Sequence, residues 1–338
     1  MIRTLGLIAS LKFTPVAMTL LALGVLASYR VSAGEAWLVL VPLAVLAVNL
    51  LAAIVVNPRF RTQGGLLVFH LCLLIVMLLV GAEKLTSLDA RIEIAEGQAF
   101  DPKALRVQAS GPLHPLHRIE AIDFSQGPVE VEFGPGLVRG RTRSQVSLDD
   151  GRTIVFGDTK PMVRSGYRFY TTSNKGFAAL LTWRDNNGSE QTGAIHFDSY
   201  PLRDWNQVKA WATPAGEEIE IELVAENPVP EHEAWVLDRS SAGSASTLIL
   251  RSAAGSAELG RGQSIVFDNG RLRFDELRMW MGYRIVFDPT LPWLLAAGMV
   301  GVLGLSWHFQ RKLWSRPLAG SKQTTDDGAG DVRPVASP

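Results

Sequence analysis

Six histidines and one cysteine are the side chains of this 338-residue sequence best suited to hold a metal ion or move a proton. Two of the histidines, His70 and His308, fall in long apolar runs, and the other four fall in a polar middle section. A titratable group inside an apolar run is costly, rare and usually turned toward protein or a cavity. In "GGLLVFHLCLLIVMLLVGAEKL", Gly64 to Leu85, His70 is such a group. At a helical rise of 1.5 Å per residue it sits roughly 9 Å in from the start of the run. A neutral imidazole offers one nitrogen lone pair to iron, while its other nitrogen can donate to a carbonyl that fixes the ring. One histidine per helix is how a haem iron is held between helices, with the porphyrin filling an apolar slot. On a helix Leu66, Leu67, Leu74 and Met77 share the face of His70 and would form the wall of that slot. A hydrogen bond from the ring to a neighbouring helix is the reading that needs no cofactor. The residues alone leave both open.

His308 falls at the end of the last apolar run, beside Arg311 and Lys312, on the same side of the membrane as His70. It is a second candidate ligand, although interface placement is cheap for a histidine. Elsewhere the spacing is less pointed. "HPLH", His114 to His117, has a metal-like interval, but its internal proline argues for a turn and a structural role. His232 in "EHE" and the isolated His196 read as ordinary strand or surface residues. Trp183, Trp205, Trp211 and Trp235 read first as core of a β domain. No G-x-S-x-G, P-loop, G-x-G-x-x-G or H-E-x-x-H occurs, which speaks against a conventional hydrolase or nucleotide enzyme. The single cysteine, Cys72, rules out a disulfide within the chain and any CxxC chemistry. A net charge of zero gives no reason to expect a nucleic-acid partner.

The elements that must position His70 and His308 follow from hydropathy. Apolar residues are concentrated in four blocks, each near the ~20 residues needed to cross about 30 Å of hydrocarbon as a helix. The expected spans are about 13–29, 36–56 and 65–82 within residues 1–84, with a fourth in 289–316. Arg3 and Lys12 precede the first span, Arg59 and Arg61 lie between the second and third, and Arg311, Lys312 and Arg316 follow the fourth. By the positive-inside bias these groups are cytoplasmic, as are both termini. A signal peptide cleaved after Ala33 in "VSAGEA" is an alternative, but three further spans make a retained first helix the simpler expectation.

Residues 85–288 are then extracytoplasmic, in the periplasm or its equivalent outside an inner (plasma) membrane. Short alternating runs such as "VEVEF", "EEIEIELV" and "YRIVF" are punctuated by Asp150-Gly151, Asn187-Gly188 and Asn269-Gly270, dipeptides suited to two-residue hairpin turns. The fold class expected is therefore a membrane protein of four transmembrane α-helices with a large, mainly antiparallel β domain, a sandwich or two stacked sheets, between helices three and four. Residues 317–338, rich in Gly, Ser, Asp and Thr, read as a disordered cytoplasmic tail.

Three stretches carry a resemblance. "GGLLVFHLCLLIVMLLVG" places a histidine early in a Leu-rich span. "FGDTKPMVRSGYRFYTTS", Phe156 to Ser173, runs from a proline through a glycine to an aromatic strand. "GYRIVFDPTLPWLLAAGMVGVLGLSWHFQRKLW", Gly282 to Trp314, joins a strand, an Asp-Pro turn, a Gly-rich helix and a basic end. Together they resemble the ResB (CcsB) family of System II cytochrome c biogenesis proteins over nearly the whole chain, with Thr159 standing where that family's pattern has Asn. The resemblance implies a subunit of a holocytochrome c synthase (haem lyase) complex rather than an enzyme by itself. Its partner would be a ResC (CcsA)-like membrane protein, and together they would move haem outward for covalent attachment to CxxCH of apocytochrome c. It further implies that His70 is an axial ligand of a transient haem b, with the second ligand coming from the partner. A cofactor-free membrane scaffold is the competing expectation. A bis-histidine electron carrier is disfavoured, because no histidine pair lies at a second level of the spans.

Overall fold

The structure is a computed structural model that describes residues 9, 12–28, 30, 36–201, 207–252 and 255–314. The candidate cleavage site at Ala33, Arg3, Trp205, Arg316 and the tail 317–338 lie outside the described residues.

Six α-helices occur among them: α1 (Phe13–Ser28), α2 (Trp37–Val56), the one-turn α3 (Arg59–Thr62), α4 (Gly64–Thr86), the short α5 (Leu116–Glu120) and α6 (Leu291–Trp314). Three of these, α2, α4 and α6, are long and apolar enough to cross a membrane, whereas α1, equally apolar, has 16 residues. α1 packs on α2, where the Thr14 hydroxyl donates to Asn49 Oδ1 at 2.9 Å, so the buried amide of α2 has a partner. α4 runs further than its apolar block. Glu83 and Lys84 continue the helix to Thr86, whose hydroxyl donates to the Ala82 carbonyl, and Ser87 N–H closes the end on Glu83 O.

Fifteen strands follow: β1 (Leu88–Ala95), β2 (Arg106–Ser110), β3 (Phe124–Gly134), β4 (Val138–Leu148), β5 (Thr153–Gly157), β6 (Met162–Arg164), β7 (Tyr167–Asp185), β8 (Glu190–His196), β9 (Val208–Ala212), β10 (Glu218–Val224), β11 (Trp235–Leu237), β12 (Thr247–Ser252), β13 (Gly255–Leu259), β14 (Ser264–Phe267) and β15 (Gly270–Phe287). All pairings are antiparallel, but they form three sheets rather than two. A seven-stranded sheet runs β2–β1–β15–β7–β6, with β14 beside β15 and β8 beside β7. Two four-stranded sheets run β11–β3–β4–β5 and β13–β12–β10–β9. One continuous apolar core joins all three. Alternation selects its residues: Phe177, Ala179 and Leu181 of β7 face inward together with Met279, Met281 and Tyr283 of β15.

Two of the hairpin dipeptides lie in turns and supply positive φ, but the loops there have three residues rather than two, Leu148 N–H donating to Arg152 O and Asp185 N–H to Ser189 O. Gly151 and Gly188 take φ of 77° and 87° at the β4–β5 and β7–β8 turns. The third does something else. Gly270 lies within β15, where a Cβ would sit 2.5 Å from the Trp183 ring, so its bareness serves close packing.

The β domain is joined to α4 and α6 without slack. One residue, Ser87, separates α4 from β1, and β1 pairs Leu88 with Phe287 of β15, three residues before α6. The Leu85 carbonyl accepts from Leu113 N–H at 2.8 Å, and the Ser87 carbonyl from Gly111 N–H at 2.9 Å. Asp288 caps the turn into α6, accepting from Thr290 N–H at 2.9 Å and from the Thr290 hydroxyl at 2.8 Å.

Candidate functional site

His70 is half-buried in the second turn of α4. Its Nδ1–H donates to the Leu66 carbonyl oxygen four residues back, at 2.8 Å. The acceptor is a carbonyl, so the proton is on Nδ1, and in the neutral ring Nε2 keeps its lone pair. The cofactor-free alternative supposed a bond to another helix; the bond made is within α4, and among the described residues Nε2 has no hydrogen-bond partner. Two phenylalanines hold the ring edge-on: Phe60, buried in α3, at 4.7 Å between centroids, and Phe69 at 5.3 Å. Leu66, Leu67, Leu74 and Met77 are all half-exposed around it.

The opposite face of α4 is closed by α6. A Cβ on Gly65 would lie 2.7 Å from the Gly304 carbonyl oxygen and from the His308 backbone nitrogen. A Cβ on Gly304 would lie 2.8 Å from Val68 Cγ1, and one on Gly301 would lie 3.2 Å from Cys72 Cβ. Gly65, Val68 and Cys72 thus form one stripe on α4, against Gly301, Gly304 and His308 on α6. At about 100° per residue, His70 is turned roughly 140° from Gly65, away from that seam. It lies instead on the side of Gly81, whose missing Cβ would meet Leu40 and Leu43 of α2 at 3.8 Å. His70 and His308 are therefore at the same end of neighbouring helices but on different sides of α4, and the structure does not bring them together. His308 touches Phe309 edge-on at 5.5 Å.

In the β domain, His114 is a buried tie. Its Nδ1–H donates to Thr86 O at the end of α4 (2.9 Å), and its Nε2 accepts from the Tyr167 hydroxyl (2.8 Å). Burial pushes the Tyr167 phenol up to about 12, so it remains a donor. Both nitrogens of His114 are thus taken by hydrogen bonds that tie α4 to β7; His117 lies in α5 and His232 is exposed.

His196, isolated in the sequence, has the more unusual surroundings. Its ring stacks on Trp280 (5.5 Å between centroids, 8° between planes), its Nδ1 lies 3.8 Å from Glu93 Oε2, and its buried Nε2 has no partner among the described residues. The neighbouring His196 lowers the Glu93 carboxyl below its usual range, against the opposing effect of burial and with help from Arg106. These residues border a cleft of about 860 Å³, with Arg106, Lys209 and Trp211 on its rim. Nothing in the spacing of the sequence signals this grouping, because β15 and β7 stand between β1 and β8. Among the described residues no three His, Cys, Asp or Glu side chains gather as a metal site.

No protein-family model matches the chain, and no curated protein is similar to it. Among solved structures it is similar to the cytochrome c haem lyase CcmF at 14% identity and a TM-score of 0.28, over 88% of this chain. The chain spans 34% of the length of that protein, and a likeness so slight carries no argument about activity.

Proposed function

We propose that this chain is the haem-presenting subunit of a membrane complex that matures c-type cytochromes. In this reading α1 joins α2, α4 and α6 as a fourth span in an inner (plasma) membrane, both termini are cytoplasmic, and the β domain stands outside. The observation that carries it is the His70 ring: Leu66 O holds its Nδ1 proton, two phenylalanine edges set its plane, and Nε2 is left with a lone pair. That is the donor a haem iron would require, in the tautomer that the bond to Leu66 O enforces. Haem is cargo here, not a resident cofactor. The residues that would hold it are His70 through Nε2 and the half-exposed leucines of its face, with the opposite axial ligand supplied by a ResC (CcsA)-like partner. His308, on the α6 seam, has no part in this site. The resemblance of Gly64 to Gly81 to the third span of the ResB family supports the same assignment and names apocytochrome c as the acceptor of the delivered haem.

The test is absorbance of the complex purified with its membrane partner. The wild-type complex should show a haem Soret band that His70→Ala abolishes while both proteins still copurify. Pigment unchanged by His70→Ala would overturn the reading, and a colourless complex that assembles normally would establish the scaffold instead.

A further inference from the structure

The cleft beside His196 is bordered by two free strand edges. Among the described residues β8 pairs only with β7, and β9 only with β10. The phase of each ladder follows from its flanking bonds. Phe197 N–H donates to Phe177 O at 3.0 Å, so Ile195 and Gly193 turn their backbone groups to β7, while Thr192, Ala194 and His196 turn theirs outward. Thr213 N–H donates to Glu217 O and Leu223 N–H to Gln207 O, both at 2.8 Å, so Val208, Ala210 and Ala212 turn theirs away from β10. Ala194, His196 and Ala210 all line the cleft, and their outward backbone groups make no bond among the described residues. Unpaired edges of this kind are templates for another strand.

The charge around them is held loosely. Arg106 is 3.9 Å from Glu93, and Lys209 is 3.7 Å from Asp198, beyond hydrogen-bond reach. Elsewhere in the domain Arg139 meets Asp158 at 2.7 Å and Arg251 meets Glu220 at 2.9 Å. With Lys175 also on its wall, the cleft has three cationic side chains against the two carboxylates Glu93 and Asp198, and Arg106 and Lys209 are free to exchange partners. The alanines at the outward positions leave room for an incoming backbone.

We propose that this cleft docks an extended acidic polypeptide segment, which adds to the free edge of β8 as a further strand and sets its carboxylates against Arg106 and Lys209. Backbone pairing would supply affinity, and alternate side chains the selectivity. The assignment is independent of what His70 does.

The probe is a fluorescent ten-residue peptide of alternating Thr and Glu, titrated by anisotropy onto the full chain in nanodiscs of neutral lipid. Three results are expected together. The peptide binds, while the same peptide N-methylated at alternate positions binds about tenfold more weakly or less, as for loss of buried backbone hydrogen bonds. Ala194→Pro, which removes an outward N–H and leaves the β7 ladder intact, weakens binding by a similar factor. Arg106→Glu with Lys209→Glu transfers the preference to a Thr/Lys peptide. Absence of binding, equal binding of the methylated peptide, or a charge preference unmoved by the double reversal would overturn the proposal. So would occupation of the cleft by mesoporphyrin, a flat dicarboxylate, with no peptide bound. The methylated peptide needs no altered protein, so the test stands even where Ala194→Pro fails to fold.

Discussion

At position 114 an imidazole uses both nitrogens on partners far away in the chain, 28 residues back at Thr86 and 53 forward at Tyr167. Replacing it with alanine leaves the Thr86 carbonyl unpaired and the Tyr167 hydroxyl with only its long bond to Pro115 O at 3.5 Å, and should lower unfolding stability by roughly 1–3 kcal/mol. Chemical denaturation followed through the β-domain tryptophans checks this, and His114→Gln should recover part of the loss. A second residue-scale expectation concerns Lys175, which is buried, donates to Ser173 O at 3.0 Å and sits over the Phe133 ring. Burial depresses its ammonium from 10.5 to about 8, with Arg139 adding to the effect. Between about pH 8 and 10.5 the unfolded chain therefore binds a proton that the folded chain does not, so this group makes stability rise with pH across that window. Thermal midpoints at pH 7.5 and 9.5 should show wild type gaining on Lys175→Met; parallel shifts would contradict it. His70 was legible in the sequence because a single imidazole stands out in an apolar run. His196 was not, because its partners Glu93 and Trp280 are set by strand order, which no local spacing encodes.

Among the elements, the α4–α6 seam makes the sharpest demand on side-chain size. Glycines at 65 and 304 let two backbones touch, and a Cβ at 65 would collide with a carbonyl and an amide rather than with a yielding side chain. Gly65→Val should therefore force the helices apart at a cost of about 1–3 kcal/mol, as overpacking does. Limited proteolysis at the ends of α4 and α6 should report the change, whereas Gly298→Ala, with open space around its Cβ, should be silent. Three membrane-capable helices were readable from hydropathy alone, while α1, expected as a fourth span, is a shorter apolar helix of 16 residues. The end of α4 was misjudged because Glu83 and Lys84 look like a boundary, while the turn is completed by Thr86 and the β2–α5 segment that braces it. Strand rhythm was equally plain in the text. The division into three sheets was not, because it depends on which long strands pair: β7 and β15, each covering more than fifteen residues, take most of the domain's registry between them.

For the molecule as a whole, basic residues at Arg59, Arg61, Arg311 and Lys312 collect at one end of the helices, and the β domain occupies the other. The proposed topology makes this an inside–outside difference. In a Cys72→Ala background, a membrane-impermeant maleimide should label Ser189→Cys on intact cells and Arg61→Cys only after lysis. Labelling of both from outside would refute the arrangement. The loop holding α3 is also where Phe60 reaches His70, so the proposed ligand and the basic end belong to one neighbourhood.

The single residue between α4 and β1 carries a mechanical consequence. A helix that passes into the middle of a sheet through Ser87, and returns through β15 into α6, has no hinge at which to lose a tilt. Any rotation imposed on α4 and α6 would act as torque on β1 and β15, and the far arm of that lever ends at Glu93 and Trp280, on the wall of the cleft beside His196. The helix that carries His70 and the strand that carries Glu93 are thus one continuous run of backbone with a single residue between the two elements.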